Sequence, residues 1–399
     1  MRYLVTINIP YALDAAGRVF TEPLWIRDIE CHAKHVDELI IAAPQVEQKS
    51  PHWEVIDSAG PVPCGRNISF VPVPAHSGFF SAWLDRSRIR SALRNAIAKA
   101  DVVQTNVGGW PLPIGWLAGP MARALGKPTV SVVESAPWRG AKGKARIFSL
   151  IFERCACREV QSSDVAFFTN AGYERTMLRQ GSRRSPRTCV VPASWIDPAL
   201  LLPVTAIRAG NAAKQPGALK ILFAGRLVEQ KGLRLLLEVV ERFAEFPDVR
   251  FGVIGEGPMG EQVDAMAARF PARFKRLAPV PYGPNFFEII DAYDLVLVPT
   301  LSDEQPRIIF DAFARGVPVV ASDTEGNRQC VQHLTNGWIF KASSHEELVA
   351  KLTDAASLGG DEWCRFRRAA LESASSWTHD AMHATRRRVI DETCVLRAT

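Results

Sequence analysis

Apolar residues fall along this chain in two alternating rhythms. Short uninterrupted runs of Val, Ile, Leu and Phe each lead into a polar turn and then into a stretch whose apolar positions return every three or four residues. In the first half the runs are Tyr3–Ile9, Glu38–Ala43, Ile68–Val73, Val102–Thr105, Thr129–Val133, Val165–Phe168 and Cys189–Val191. In the second half they are Leu219–Ala224, Val249–Ile254, the neighbourhood of Leu277–Val280, Tyr293–Pro299 and Gly316–Ser322. Strands alternating with helices predict an α/β protein with parallel sheets. Residues 199–218, rich in Ala, Gly, Pro and Lys, show no periodicity and are expected to link two domains, 1–198 and 219–376. Beyond them, Trp377–Glu392 within 377–399 reads as a polar helix.

Between the last two strands lies a helix flanked by acids, in LVPTLSDEQPRIIFDAFARGVPVVAS (Leu297–Ser322). Pro306 suits the first turn of that helix and Gly316 the left-handed position that ends it. Asp303 precedes the helix and Asp311 lies within it, beside the crevice where α/β units bind ligands. A carboxylate there can accept from sugar hydroxyls. Asp311 is also four residues from both Arg307 and Arg315, so an exposed ion pair worth about 0.3–0.5 kcal/mol accounts for it equally well. Upstream, a strand ends at Ala224, Gly225 and Arg226 turn the chain, and Lys231-Gly232 open a helix with Leu233, Leu236, Leu237, Val240 and Phe243 on one side. Two cations at a helix N-terminus favour an anion, most naturally a diphosphate.

These segments resemble the family 4 retaining glycosyltransferases. The likeness runs over most of residues 160–345, through Val191-Pro-Ala-Ser-Trp-Ile-Asp197, Phe223-Ala-Gly-Arg-Leu-Val-Glu-Gln-Lys-Gly232, Val253-Ile-Gly-Glu-Gly-Pro258, Ala292-Tyr-Asp-Leu-Val-Leu-Val-Pro299 and Gly316-Val-Pro-Val-Val-Ala-Ser322. It implies a GT-B fold, two Rossmann-like parallel-sheet domains facing across a cleft with the helix of 377–399 crossing back onto the first, and a nucleotide-diphosphate sugar as co-substrate with no further cofactor. It implies that Arg226 and Lys231 hold the donor diphosphate, that Asp311 meets the ribose, and that Asp303 approaches the donor sugar. Gly225, Gly255, Gly257, Tyr282, Glu304, Gln305 and Pro306 would complete the donor side. Both family glutamates are aspartates here, one methylene shorter. Asn106 stands for a family histidine, Ala16-Gly17 for a double glycine, and Gln329 for another glutamate. Gly17, Asn106 and Glu134, the last just past the strand Val130–Val133, are the acceptor-side candidates; Glu134 serves equally as a cap or surface charge.

Other chemistries find less support. Gly255-Glu-Gly-Pro-Met-Gly260 matches a dinucleotide fingerprint letter by letter, but it does not follow the first strand of its domain and no acid ends the next strand. There is no Asp-x-Asp pair for a divalent ion, the 8 histidines are scattered, and His32 and His35, which could share one helix turn, lack a third partner, so no metal site is expected. The 8 cysteines lack zinc-ligand spacing and fit reduced thiols in the cytosol. At 399 residues and 47% hydrophobic content the chain suits two soluble domains, without an apolar stretch of the roughly 20 residues that span a bilayer.

Charge adds one refinement. Residues 80–187 hold 18 Lys plus Arg against 7 Asp plus Glu, a surplus of +11 in a chain of net +6. Arg86, Arg88, Arg90, Arg94 and Lys99 interleave with Trp83, Leu84, Ile89, Leu93 and Ile97 in what reads as one helix, and Trp138–Arg158 mixes basic and apolar residues again. Such stretches fit an anionic membrane face or a lipid-phosphate acceptor, or simply a solvated surface; no nucleic-acid module accompanies them. The sequence therefore points to a cytoplasmic, peripherally membrane-associated transferase acting on a glycan or lipid-linked acceptor in envelope or exopolysaccharide assembly. A sugar-nucleotide epimerase or a non-catalytic nucleotide-sugar binder of the same fold are the alternatives.

Overall fold

A computed structural model of the chain divides into two compact units, Met1–Pro192 with Asp380–Thr399, and Ala193–His379. It describes residues 1–56, 67–109, 111–136, 145–178, 185–207, 215–243, 246, 248–302 and 304–395.

The first unit is built on β1 (Arg2–Thr6), β2 (Tyr11–Leu13), β3 (Val19–Thr21), β4 (Glu38–Val46), β5 (Glu54–Val55), β6 (Asn67–Pro74), β7 (Val102–Asn106), β8 (Thr129–Val133), β9 (Val165–Phe168) and β10 (Arg187–Val190). Its long strands run parallel in the order β10-β9-β8-β7-β1-β4-β6. They are the strands that continuous apolar runs predict, because a parallel strand covered on both faces has no polar side to show. The short β2, β3 and β5 escape that signal, being two or three residues long and paired as a small ribbon at one edge. One face of the sheet carries Trp25, Ile29 and Ala33 of the helix Pro23–Ala33 together with Met382, Val389 and Ile390 of the helix His379–Ile390. Ile89, Leu93 and Ile97 of the helix Arg86–Lys99 cover the other.

The second unit holds β11 (Leu219–Ala224), β12 (Val249–Ile254), β13 (Phe274–Leu277), β14 (Leu295–Val298), β15 (Val319–Ser322) and β16 (Gly337–Phe340), all parallel, in the order β13-β12-β11-β14-β15-β16. Leu233, Leu236, Leu237 and Val240 of the helix Leu233–Arg242 pack on one face, and Phe310 and Phe313 of the helix Ile308–Ala314 on the other. Each such side chain contributes about 1.5–3 kcal/mol on burial.

Several boundaries differ from the sequence reading. β13 begins at Phe274, ahead of the expected Leu277, because Phe274 alone of its residues is buried while Lys275 and Arg276 hide the run. Ala193–Pro198 lie with the second unit. The described part of 199–218 is packed onto that unit instead of spanning freely: Ile207 is buried with Cys364 and Leu371, and the Leu202 N–H donates to the Ala314 carbonyl at 2.9 Å. The chain returns to the first unit after His379, later than expected, since Trp377 packs on Phe310 and Phe313. Asp85 breaks the basic stretch into two helices, Phe79–Leu84 and Arg86–Lys99, so Ile89, Leu93 and Ile97 are core and present nothing to a membrane.

Candidate active site

In the second unit the chain builds β11, β12 and β13 outward in one direction and then returns to place β14 on the other side of β11. The loops leaving β11 and β14 therefore diverge at their carboxyl ends and open a crevice. Backbone bonds fix both loops. The Leu301 N–H donates to the Gln230 carbonyl at 2.9 Å and the Leu227 N–H to Glu256 O at 2.8 Å, which ties the loops after β14, β11 and β12 together. Arg226 is exposed at the exit of β11. Lys231 ends a short 3-10 turn, Glu229–Lys231, and its Nζ lies 3.6 Å from a Glu304 carboxylate oxygen. A cation from one loop thus meets a carboxylate from the other across the switch point.

Three glycines make this approach sterically feasible. Gly232 has φ +74, and a Cβ there would fall 1.9 Å from the Pro299 carbonyl oxygen. At Gly255 (φ +147) it would fall 1.9 Å from Gly225 O, and at Gly257 (φ +152) 2.5 Å from Leu227 O. The fingerprint-like Gly255-Glu-Gly257 therefore serves close packing of one loop on another. Gly225 (φ +158) has open space around its Cβ position.

Asp311 is 6% exposed and accepts from the Tyr282 hydroxyl at 2.8 Å. Arg315 is held by Asp291 and by the Leu200 carbonyl, and the Arg307 guanidinium lies 4.5 Å over the Trp195 ring. The helix carrying Asp311 spans only Ile308–Ala314, so Pro306 precedes its first turn, where the Ile309 N–H reaches back to the Pro306 carbonyl. Gly316, at φ +62, ends that helix as expected. The Gln305 amide oxygen accepts from Ala193 N at 3.0 Å, and its nitrogen points to the Cys330 sulfur at 3.6 Å. Burial pushes the Cys330 thiol up to about 12, against a weaker opposing pull from the Gln305 bond. Gln305 and Pro306 accordingly brace the loop. Asp303 lies outside the described residues.

The first unit has its own switch point, between β1 and β7. Asn106 ends β7, and Glu134 follows β8, the neighbouring strand. A Glu134 carboxylate oxygen lies 3.6 Å from Nη2 of the buried Arg386. Gly17 is elsewhere: with φ +77 it turns the β2–β3 hairpin, where the Asp14 carboxylate accepts from Ala16 N and Arg18 N. A cavity of about 250 Å³ opens beside the switch point, lined by Asn8, Pro10, Val46, His76, Leu112 and Ile114 among others. His76 Nε2 stands 3.3 Å from the Asp85 carboxylate. His32 and His35 do not act as a pair. His32 is packed between Tyr3 and His383, with its pKa well below the ordinary value through burial, whereas His35 Nε2 meets Asp380 at 3.0 Å.

Residues 218–357 match the family model of the glycosyl transferases group 1. An uncharacterized glycosyltransferase of Methanocaldococcus jannaschii is 26% identical over 122 residues, 30% of this chain and 31% of that protein. The putative colanic acid biosynthesis glycosyltransferase WcaL of Salmonella typhimurium is 23% identical over 162 residues, 38% of this chain and 39% of its own. The chain thus spans about a third of the length of the curated relatives it matches. Among solved structures, Anabaena HepE in complex with UDP superposes with a TM-score of 0.65 at 15% identity, covering 98% of this chain and 100% of that one. Residues 218–357 of the second unit are thus similar to the group 1 glycosyl transferases, and the chain has the GT-B fold.

What the sequence does not disclose is mostly the lining of the first unit. Asn8 and His76 carry no spacing signal, because the residues around the cavity come from five separate segments and are mostly apolar. Tyr282 is a donor-side candidate by the resemblance alone, and only the structure shows its hydroxyl donating to Asp311. Glu304 stood in the assigned loop, but its pairing with Lys231, 73 positions away, is visible only once the switch point brings the loops together.

Proposed function

We propose that the protein transfers a sugar, with retention of anomeric configuration, from a nucleotide-diphosphate sugar to a glycan or lipid-linked acceptor in polysaccharide or lipopolysaccharide assembly. The observation that carries this reading is the Lys231–Glu304 pair across the second unit's switch point, with Arg226 beside it. Lys231 has three donors, so it can keep Glu304 while donating to a phosphate oxygen, and Glu304 holds the flexible lysine in place before the donor arrives. Arg226 supplies a planar fork suited to phosphate. Together they neutralise charge on the departing diphosphate without reorganisation, the form of catalysis in which pre-set cations do most. No divalent ion is then required on the diphosphate, and added magnesium or manganese should leave the rate unchanged. Asp311, held by Tyr282, is the acceptor for ribose hydroxyls, and Asp303 the carboxylate next to the donor sugar.

The acceptor side belongs to the first unit. Phe80 (73% exposed), Trp83, Leu84, Ile147, Phe148 (65% exposed), Leu150 and Ile151 form an apolar patch on the helices Phe79–Leu84 and Ala145–Ser162, which touch through Phe79 and Phe152, 6.2 Å between ring centroids. Arg86, Arg88, Arg90, Arg146 and Arg154 surround it with exposed charge. Aromatic and aliphatic side chains ringed by arginine fit an anionic bilayer face, where a lipid-linked acceptor resides. Among the described residues no helix is long and apolar enough to cross a membrane. The decisive test offers the protein a panel of nucleotide sugars, beginning with UDP-sugars because HepE was solved with UDP, together with membrane extracts, and reads transferred sugar by mass spectrometry. Transfer with release of a nucleoside diphosphate is expected. An isomerised donor without transfer would make the protein an epimerase.

A further inference from the structure

We propose that Cys31, His35 and Asp380 form a binding site for a thiophilic divalent cation of the zinc class within the first unit. The Cys31 sulfur, a ring nitrogen of His35 and a carboxylate oxygen of Asp380 all lie within 4.8 Å of one another. One thiolate, one imidazole and one carboxylate are a donor set that zinc accepts. The His35 Nε2 to Asp380 Oδ1 separation of 3.0 Å is close to the edge of roughly 3.3 Å expected for a tetrahedron with bonds of about 2.0 Å. Small rotations of two side chains would seat the ion.

The ligands sit on elements already fixed by packing. Cys31 belongs to the helix Pro23–Ala33 and Asp380 to the helix His379–Ile390, and both helices bury apolar residues in the same core. The His35 carbonyl accepts from Arg387 Nη1 at 2.5 Å, which anchors the turn after the first helix. Exposure is graded along the set: Cys31 is 8% exposed, the His35 side chain 17% and the Asp380 side chain 54%. An ion can therefore enter over Asp380 and finish against a buried sulfur. A water molecule can complete the tetrahedron, and His383 lies near the same sulfur without belonging to this three-residue set. A ring nitrogen of His383 lies within 4.8 Å of the Cys31 sulfur, while His383 Nε2 meets the Asp28 carboxylate at 3.0 Å. Its ring is stacked 4.6 Å from that of His32.

Such an ion would staple the chain's end to its beginning, across 345 positions between His35 and Asp380. Binding to the native state alone stabilises it in proportion to the logarithm of ion concentration over Kd. The site is independent of the proposed transfer, whose donor residues are in the other unit. Because the thiol must lose its proton on binding, uptake should release a proton and weaken at low pH.

The test uses the full untagged chain, stripped of metal and titrated with Co²⁺. Stoichiometric uptake should produce a near-ultraviolet thiolate-to-cobalt band and visible d–d bands of tetrahedral intensity, which Zn²⁺ abolishes by displacement. Cys31→Ser should lose the near-ultraviolet band, and Asp380→Asn, at an exposed position that folding does not depend on, should weaken uptake at least tenfold. Zinc should raise the thermal midpoint of the wild type and not that of Cys31→Ser. Absence of the thiolate band in the wild type, or uptake unchanged in both variants, would overturn the assignment and leave a His35–Asp380 hydrogen bond beside a buried thiol.

Discussion

The two units open their sheets in the same way and finish the openings differently. At the second unit's switch point, the loops after β12, β11 and β14 are bonded to one another, and glycines let backbone touch backbone. The result is a rigid, polar rim that presents Arg226, Lys231 and Glu304. At the first unit's switch point the corresponding ground is a cavity of about 250 Å³ walled by Pro, Val, Leu and Ile, with Asn8 and His76 as its polar features. A diphosphate is the same in every nucleotide sugar, and a rigid rim can be specified by short motifs. An acceptor surface has no such fixed group to recognise, so its lining is dispersed and unmarked in the sequence.

The comparison breaks most visibly at glycine. Gly255→Ala should destabilise the second unit by about 3 kcal/mol or more, since a Cβ 1.9 Å from a backbone oxygen adds collision to an unfavourable φ. Gly17→Ala should cost only the left-handed conformation, about 1–2 kcal/mol, because no atom lies within 4 Å of its Cβ position. Denaturant unfolding of the two variants measures both. Equal losses would mean that the rim is no tighter than a hairpin.

That contrast also explains what was legible. The long strands of the first sheet and β11, β12, β14 and β15 of the second were readable because parallel strands are apolar on both sides, whereas β13 was placed late and β16 (Gly337–Phe340) was missed; the Arg226, Lys231 and Gly255 segments were readable because tight loops constrain residue type. The small strands β2, β3 and β5 were not readable, having too few residues to show a period. Neither was the seat of Gly17, since a glycine needed for φ +77 in a hairpin looks the same in sequence as one needed beside a ligand. The pairs Lys231–Glu304, Tyr282–Asp311 and Glu134–Arg386 depend on which loops the topology brings together, and a local pattern carries no such information.

The polar rim is sharpened by removing its charges. Charge-assisted contacts to phosphate are worth about 1.5–3 kcal/mol each, so Arg226→Ala should weaken nucleoside-diphosphate binding by roughly ten- to a hundredfold in calorimetry. Asp311→Asn should weaken the nucleotide as well, whereas Tyr282→Phe, which keeps the carboxylate, should weaken it by less. Nucleotide affinity untouched in Asp311→Asn, with stability alone reduced, would return Asp311 to a structural role.

On the first unit the apolar patch sets the next scale. Vesicles of phosphatidylglycerol should bind the protein at low salt and release it as the Debye length falls from roughly 30 Å at 0.01 M to about 8 Å at 0.15 M. Phe148→Ser with Ile151→Ser, on exposed positions, should reduce the bound fraction while leaving nucleoside-diphosphate affinity unchanged. Arg86, Arg90 and Arg94 reversed to Glu should do so through charge, at about 1 kcal/mol per residue. Equal binding to neutral and anionic vesicles would remove the electrostatic part, and no binding to either would leave the patch without a membrane role.

The smallest effect is expected at the opposite, amino-terminal edge of the first sheet, where both units have only to hold strands together. Arg2 at the start of β1 donates through its backbone N–H and its guanidinium to Asp101 just before β7, each at 2.7 Å, and these bonds hold the Asp101 carboxyl below the usual range. A carboxyl with a lowered folded pKa contributes stability above its unfolded value of about 3.8–3.9 and loses it as pH falls through the folded value. Both side chains are more than a third exposed, at 49% and 41%, so solvent screens the pair and its worth is about 0.2–1 kcal/mol. Asp101→Asn should therefore lower unfolding free energy by that amount at pH 7 and by progressively less as the wild type is taken below pH 4. A loss that persists undiminished at pH 2 would assign the effect to the neutral hydrogen bond, and a loss comparable to that of Gly255→Ala would mean that this edge is as tightly specified as the donor rim.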